Sequence, residues 1–264
     1  MSFPFSIPLS ESQMRTESAT QLMPLGTRGY TRDGRIYRYA QAGATALTKG
    51  TLCEAAAGAA INTSTDTRLN RVCTTTHTEA HISTTMVASG TVSADDFKDG
   101  YLFCTDTTGT GGQYVHIKKS TASSSNTCSG TTGCILTFYP DSHVEESLTT
   151  ASTVAPVKNM YKGIIVATAG GNVNALVGVP NQDVTEAYYF WLQTWGPCAV
   201  RQETTVIPLG SAVVSSTGAT GGTVECSSCT TSQLPNYGAV TIGQLIGSPQ
   251  ATLEFVFIEL RCSP

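Results

Sequence analysis

From Leu25 to the end of the chain, apolar residues come in runs of about four to eight, and turn-forming residues separate the runs. The runs are rich in β-branched and aromatic residues. Two of them follow an Asp-Gly pair, at Asp33-Gly34 and at Asp99-Gly100, which is typical of a hairpin turn. Patterns with the period of a helix are few and short. The sequence therefore predicts an all-β fold built from short strands.

Composition excludes several classes of protein. Only 13% of the 264 residues are charged and the net charge is −4, which argues against intrinsic disorder. The 15 basic residues form no cluster, so we expect no nucleic-acid partner. The chain has no run of about 18 apolar residues, so we expect no membrane partner either.

The patterns divide the chain into three parts. Residues 1–24 predict an extended N-terminal arm, residues 25–185 a β domain with a Thr-rich insertion at about 61–150, and residues 186–264 a C-terminal β domain. Residues 45–51 and 205–211 share an apolar strand and a Gly-centred turn. This repeat favours two related β-sandwich or β-barrel units, although chance similarity in an Ala/Thr/Gly-rich chain would give the same pattern.

Apolar residues alternate with polar residues and prolines in the arm. Phe3, Phe5, Ile7 and Leu9 stand at every second position, so in an extended strand they share one face. The arm has too few apolar residues to form a core of its own. We expect it to add to the sheet edge of a neighbouring molecule, which makes these four residues a predicted subunit interface.

The densest apolar segment is 188–197. Alternation places Tyr189 and Trp191 on one face, and Tyr188, Phe190 and Leu192 on the other. A strand that is apolar on both faces is typical of a core. The alternative is a strand with one face against a neighbouring subunit, and in that case Tyr189 and Trp191 are interface residues.

Candidate catalytic and metal-binding motifs are weak. His77, Glu79 and His81 would share one face of a strand, but neighbouring threonines favour a solvated polar strand over a metal site. The sequence has no nucleophile elbow, phosphate-binding loop or dinucleotide fingerprint. We therefore predict that the protein is not an enzyme, and that it holds no metal and no cofactor.

Nine cysteines are spread along the chain. The first residues do not resemble a secretory signal peptide, so we expect synthesis in the cytoplasm and mostly reduced thiols. Cys128 and Cys134 flank a Gly-containing tip and are the candidate disulfide. Cys226 and Cys229 have the spacing of a redox or metal pair, but no second such pair exists to complete a zinc site.

Two stretches resemble auxiliary structural proteins of tailed-phage particles. Residues 34–52 are similar to a pattern near the start of those proteins, an Arg-x-aromatic-Arg-Tyr run followed by Ala-Gly and Ala-Leu pairs. Residues 191–199, followed by Leu209-Gly210-Ser211, are similar to a later pattern in the same proteins. The order of the two stretches and the end of the chain are also similar.

This resemblance implies a capsid decoration or cement protein, which binds the outside of the shell and stabilises it. The implied partners are the major capsid protein and copies of this chain, as a homo-oligomer on the particle, and the implied location is the virion surface. The alternative is a subunit of an extracellular filament, an adhesin, or a phage tail or receptor-binding protein, which share a Thr/Gly-rich β composition.

Overall fold

A computed structural model describes residues 6–56, 71–72, 83–86, 88–89, 94–105, 111–120, 127–128, 134–139, 153–169, 174–203, 206–216, 218, 220–226, 240–247 and 254–263. These residues form nineteen β-strands and no α-helix, with one 3₁₀ turn at Gln13–Arg15. The prediction of an all-β fold is confirmed.

The strands of the described residues are numbered in chain order. The first four are β1 (Ser6–Pro8), β2 (Arg28–Tyr30), β3 (Ile36–Gln41) and β4 (Cys53–Glu54). The next eight are β5 (Arg71–Val72), β6 (Ser83–Met86), β7 (Ala88–Ser89), β8 (Tyr101–Cys104), β9 (Tyr114–Ser120), β10 (Thr127–Cys128), β11 (Cys134–Phe138) and β12 (Thr153–Val157). The last seven are β13 (Ile165–Val166), β14 (Leu176–Pro180), β15 (Tyr189–Arg201), β16 (Ala212–Ser215), β17 (Val224–Cys226), β18 (Thr241–Leu245) and β19 (Phe255–Arg261).

The chain divides into two compact units. The main unit comprises Met1–Ala57 and Met160–Pro264, and the inserted unit comprises Gly58–Asn159. Strand β15 begins just after the boundary predicted near residue 185, yet it pairs with β3, which precedes that boundary. Strands from both sides of the boundary therefore share one sheet. That residues 25–185 and 186–264 are related units stays a prediction.

The main unit is built on one sheet of eleven strands. Its path runs β1-β2-β3-β15-β19-β18-β16-β17, while β14 pairs with β15 and β4 pairs with both β13 and β14. Strand β15 has 13 residues and joins the two halves of this sheet. It pairs with β3 up to Trp195 and with β19 from Trp195 onward, with a register shift between Gln193 and Trp195. A β-bulge of this kind bends a long strand and strengthens its twist.

Among the described residues of the main unit, two clusters of buried side chains lie along β15. The larger one lies around the second half of β15 and includes Leu52, Val179, Val200, Ile258 and Leu260. The smaller one lies around the first half and consists of Leu9, Met14, Leu25, Tyr37, Tyr39 and Trp191. The N-terminal residues are thus part of the core of their own chain.

The N-terminal segment lies along the main sheet. Strand β1 runs parallel to β2, with Ile7 opposite Gly29, and the Leu9 amide donates to the Tyr30 carbonyl at 2.8 Å. Leu9 is only 8% exposed, and Ile7 packs against the same cluster. The alternation predicts an extended strand, and the structure pairs that strand with a sheet edge of the same chain. That Ile7 and Leu9 form a subunit interface stays a prediction. Phe3 and Phe5 lie outside the described residues.

The inserted unit has its own sheet of six strands in the order β5-β12-β8-β9-β11-β6, and β7 and β10 form a separate pair. Strands β8 and β9 alternate buried and exposed residues along most of their length. Their inward side chains form a buried set with neighbours from the same unit: Phe97, Leu102, Val115, Ile117, Leu136 and Phe138. The segment predicted as a Thr-rich surface insertion overlaps this unit, which carries buried apolar residues of its own.

Candidate functional site

The aromatic segment of β15 lies in the core. Trp191 is 5% exposed, and its ring meets that of Tyr39 edge to face, with centroids 5.3 Å apart. Tyr189 stacks on the other side of Tyr39 at 6.1 Å and is partly buried. Phe190 and Leu192 are buried on the opposite face. The core interpretation of this segment therefore fits Trp191, because its side chain is too buried to contact a neighbouring subunit.

A buried polar network crosses the smaller cluster. The Tyr37 hydroxyl donates to Met14 Sδ at 2.9 Å and accepts from Arg35 Nη1 at 3.1 Å and from Asn181 Nδ2 at 3.0 Å. Arg35 in turn forms ion pairs with Asp33 and Glu11. Burial raises the pKa of Tyr37, so its hydroxyl remains a neutral donor. Each hydrogen bond of the network fixes the position of a neighbouring side chain, and the network thereby stabilises the fold.

One cysteine forms a disulfide bond that the sequence does not predict. Cys226, at the end of β17, is disulfide-bonded. This corrects the expectation that only Cys128 and Cys134 would oxidise. The side chains of Cys128 and Cys134 lie outside the described part of the structure, and their pairing stays a prediction.

Two other thiols are buried in the main unit. Cys53 and Cys198 are reduced and buried, and burial raises the pKa of Cys53 to about 12 and that of Cys198 still higher. Such thiols are protonated at neutral pH and are poor nucleophiles and poor metal ligands. His77, Glu79 and His81 lie outside the described residues. In the ranges that the structure does describe, no group of three metal-ligating side chains comes together.

A shallow groove on the main sheet is the candidate association site. It has a volume of about 340 Å³ and lies over the Pro197–Ala199 part of β15. We call it the Phe groove, because Phe255 and Phe257 of β19 form one wall. The other residues that line it are Arg15, Arg35, Lys49, Gly50, Pro180, Asn181, Gln193 and Cys198.

The two phenylalanines face outward because β19 alternates. Val256, Ile258 and Leu260 point into the larger cluster, whereas Phe255 and Phe257 are 45% and 47% exposed. Phe257 lies opposite Ala199 on β15, whose small side chain leaves the ring uncovered. Exposed aromatic pairs on a regular sheet mark surfaces that bind other molecules.

Two glycines bring the chain close to these rings. A Cβ on Gly50 would lie 2.3 Å from the Phe255 ring, and a Cβ on Gly247 would lie 2.8 Å from Cβ of Phe257. Gly50 also has φ +73°, a conformation that disfavours other residues. The glycines thus let the backbone pack closely against both side chains, so the wall of the Phe groove is held in a defined position.

The sequence did not single out Phe255 and Phe257. Residues 252–261 form one of the short β-branched and aromatic runs that are typical of strands, and β19 lies within it. Apolar residues occupy both faces of the first half of this strand, so periodicity alone gives no sign of which face is covered. The tertiary packing of β19 against the larger cluster decides it.

Comparison with known protein families, curated proteins and solved structures finds no match to this chain. What the structure itself defines is a nearly all-β protein with an eleven-stranded main sheet. No helix in the described residues is long and apolar enough to cross a membrane.

Proposed function

We propose that the chain is a non-enzymatic structural protein of a phage particle, which binds the outside of the capsid as a decoration or cement protein. The resemblance of residues 34–52 and 191–199 to auxiliary particle proteins supports this class. The observation that carries the proposal is the Phe groove, an exposed apolar wall on a rigid sheet.

The chemistry of the Phe groove fits an extended protein segment. Phe255, Phe257 and Pro197 supply apolar contacts, while the exposed side chains of Arg15 and Lys49 stand at its margin. A partner segment that combines apolar and acidic side chains is complementary to this arrangement. The proposed partners are the major capsid protein and further copies of this chain. Many weak contacts of this kind on a symmetric shell add up to firm attachment.

Mass spectrometry of phage particles purified on a density gradient from the cell that carries the gene tests the class of protein. We expect peptides of this chain in the same band as the major capsid protein, in comparable copy number. Particles that contain the capsid protein but no peptide of this chain would overturn the proposal.

Rebinding to particles that lack the chain tests the Phe groove. We expect Phe257→Ser to weaken rebinding by about tenfold or more, because an aromatic anchor at the centre of an interface contributes about 2 kcal/mol. Leu209→Ser is the matched control, since Leu209 is an exposed apolar residue of the same unit that does not line the groove. Equal rebinding of both variants and the parent chain would rule out the Phe groove as the attachment surface.

A further inference from the structure

A row of three stacked aromatic rings, of which Tyr101 is exposed and His116 and Tyr139 are half-buried, runs across the inserted unit. His116 of β9 lies between Tyr101 of β8 and Tyr139, which directly follows β11. The His116 ring stacks on the Tyr101 ring with centroids 5.0 Å apart and an angle of 24° between the planes. On its other side it stacks on the Tyr139 ring with centroids 4.5 Å apart and an angle of 25°. Phe103 and Tyr114 form a second row beside it, opposite each other across β8 and β9. We call these five side chains the aromatic face.

Three rings of the aromatic face are exposed to solvent, and two of them are nearly perpendicular to each other. Tyr101, Phe103 and Tyr114 are 44%, 37% and 67% exposed. Tyr114 stands at 79° to Tyr101 with centroids 5.9 Å apart, so the two ring planes form a corner. Leu102 and Val115, which alternate with these residues, fill the core beneath. The unit therefore exposes aromatic rings on one side while it buries aliphatic side chains on the other.

Hydrogen bonds to one buried residue hold the row in place. Asp99 is almost fully buried; its Oδ1 accepts from the Tyr139 hydroxyl at 2.7 Å, and its carbonyl oxygen lies 3.2 Å from His116 Nε2. Asn159 Nδ2 donates to the same carbonyl at 2.8 Å. A surface whose rings are fixed before a ligand arrives loses little conformational entropy on binding.

Two lysines add positive charge to this face. The register between β9 and β11 shifts between Thr137 and Phe138, and the resulting bulge places Lys119 opposite Thr137, on the side of the sheet that carries the row. Lys118 and Lys119 are both exposed, and in the described part of the chain neither ammonium group has an ion-pair partner.

The described acidic residues of the inserted unit have partners other than these lysines. In its described residues, Asp96 pairs with Lys158 at 2.8 Å, and Asp95 Oδ1 accepts from the Ser120 amide. Asp99 is buried and bonded to Tyr139. Among the described residues, no carboxylate of the unit therefore neutralises Lys118 or Lys119.

From this arrangement we propose that the aromatic face binds an acidic polysaccharide built from pyranose uronic acids. A pyranose ring has an apolar face of C–H groups that packs on an aromatic ring, and its hydroxyl groups bond at the ring edge to tyrosine and imidazole groups. Its carboxylates pair with Lys118 and Lys119. The proposal concerns a different unit from the Phe groove and does not rest on the proposed function.

A nucleic acid is less suited to this face. Single-stranded nucleic acid also stacks on aromatic rings, but its phosphates call for a groove lined by many cations. On this surface two adjacent lysines accompany five aromatic side chains, in a chain whose net charge is −4. The ratio of rings to cations favours a sugar chain that carries separated carboxylates.

Isothermal titration of the full chain with hexamers of galacturonate, mannuronate and hyaluronan tests the proposal. We expect at least one of the three to bind, and Tyr114→Ser to weaken that binding by about tenfold or more. Tyr114→Phe, which keeps the ring, should retain it. Tyr30→Ser is the control, because Tyr30 is an exposed tyrosine of the main unit, away from the aromatic face. Lys119→Gln should weaken binding at low salt and have less effect at high salt.

Four results would each overturn the proposal. The first is the absence of binding by all three uronate hexamers at millimolar concentration. The second is equal binding by hexaglutamate, which carries carboxylates without sugar rings. The third is binding by oligo-dT but by no uronate hexamer, which would assign the aromatic face to single-stranded nucleic acid. Loss of binding in Tyr30→Ser to the same extent as in Tyr114→Ser would also exclude the aromatic face as the site.

Discussion

Replacing Met14 by Ala should destabilise the main unit strongly, although Met14 belongs to a segment that the sequence predicts as an arm for a neighbour. Met14 is 1% exposed and packs in the smaller cluster with Leu9, Tyr37 and Trp191. Its sulfur accepts the hydrogen bond of the Tyr37 hydroxyl. A surface arm would contribute nothing of this kind.

The magnitude follows from two losses. Truncation of a buried methionine to alanine costs about 2–5 kcal/mol, because transfer free energy is lost and a cavity remains. The Tyr37 hydroxyl also loses its acceptor, and an unsatisfied buried donor costs about 1–3 kcal/mol. Partial relaxation of the segment offsets part of the sum, so we expect a decrease of about 3–5 kcal/mol in the free energy of unfolding. That is a large share of the typical total of about 5–15 kcal/mol.

Urea unfolding followed by tryptophan fluorescence measures this change. The chain has two tryptophans, and both belong to β15 of the main unit, so the signal reports on that unit. Met160→Ala is the matched control, since Met160 is an exposed methionine of the same unit and should lose less than about 0.5 kcal/mol. A loss below about 1 kcal/mol for Met14→Ala would show that residues 6–16 are not part of the core, and would refute the reasoning.

Three further predictions concern buried or paired groups. Glu54 is fully buried and its Oε1 accepts a hydrogen bond from Thr168 Oγ1 at 2.6 Å, so Glu54→Ala, which leaves that hydroxyl without its acceptor, should lower the free energy of unfolding by about 1–3 kcal/mol in urea titrations at pH 7; no decrease would contradict this. Cys53 and Cys198 should not react with Ellman's reagent until the chain is unfolded, because burial raises the pKa of both thiols. Rapid labelling of either thiol in the native protein would disprove this prediction. The hydrogen bond from Thr31 and the Arg35 guanidinium lower the pKa of Asp33 below its usual 3.8. The Asp33 carboxylate therefore stabilises the fold above pH 3.8, and this stabilisation is lost as the pH falls through the pKa of Asp33 in the folded state. Asp33→Asn should therefore be less stable than the parent chain at about pH 7, and the difference should shrink as the pH falls below 3.8; a difference that does not change with pH would exclude this cause.

The sequence predicts the fold class and several local features because these depend on periodicity. The alternation of Ile7 and Leu9 specifies an extended strand, and the Asp33-Gly34 pair specifies the turn before β3. The two apolar faces of the segment around Trp191 specify a strand that is buried on both sides. In each case neighbouring residues carry the whole signal.

The partners of these strands are decided by the tertiary structure. An alternating strand needs a sheet edge, but nothing in its own residues says whether that edge lies on another molecule or, as for β1, on β2 of the same chain. The same limit applies to the disulfide of Cys226, since a bond between cysteines depends on how close the fold brings them.

Which face of a strand remains open is also a tertiary property. Strand β19 and strand β8 carry apolar residues on both faces, and their sequences do not distinguish Phe257 from Ile258, or Phe103 from Leu102. Packing buries one set and exposes the other, because a sheet covers only the side against which the remaining chain folds. Sequence alone thus determines that this chain forms β-strands with apolar faces, and only the three-dimensional fold determines that the residues of the Phe groove and of the aromatic face remain at the surface.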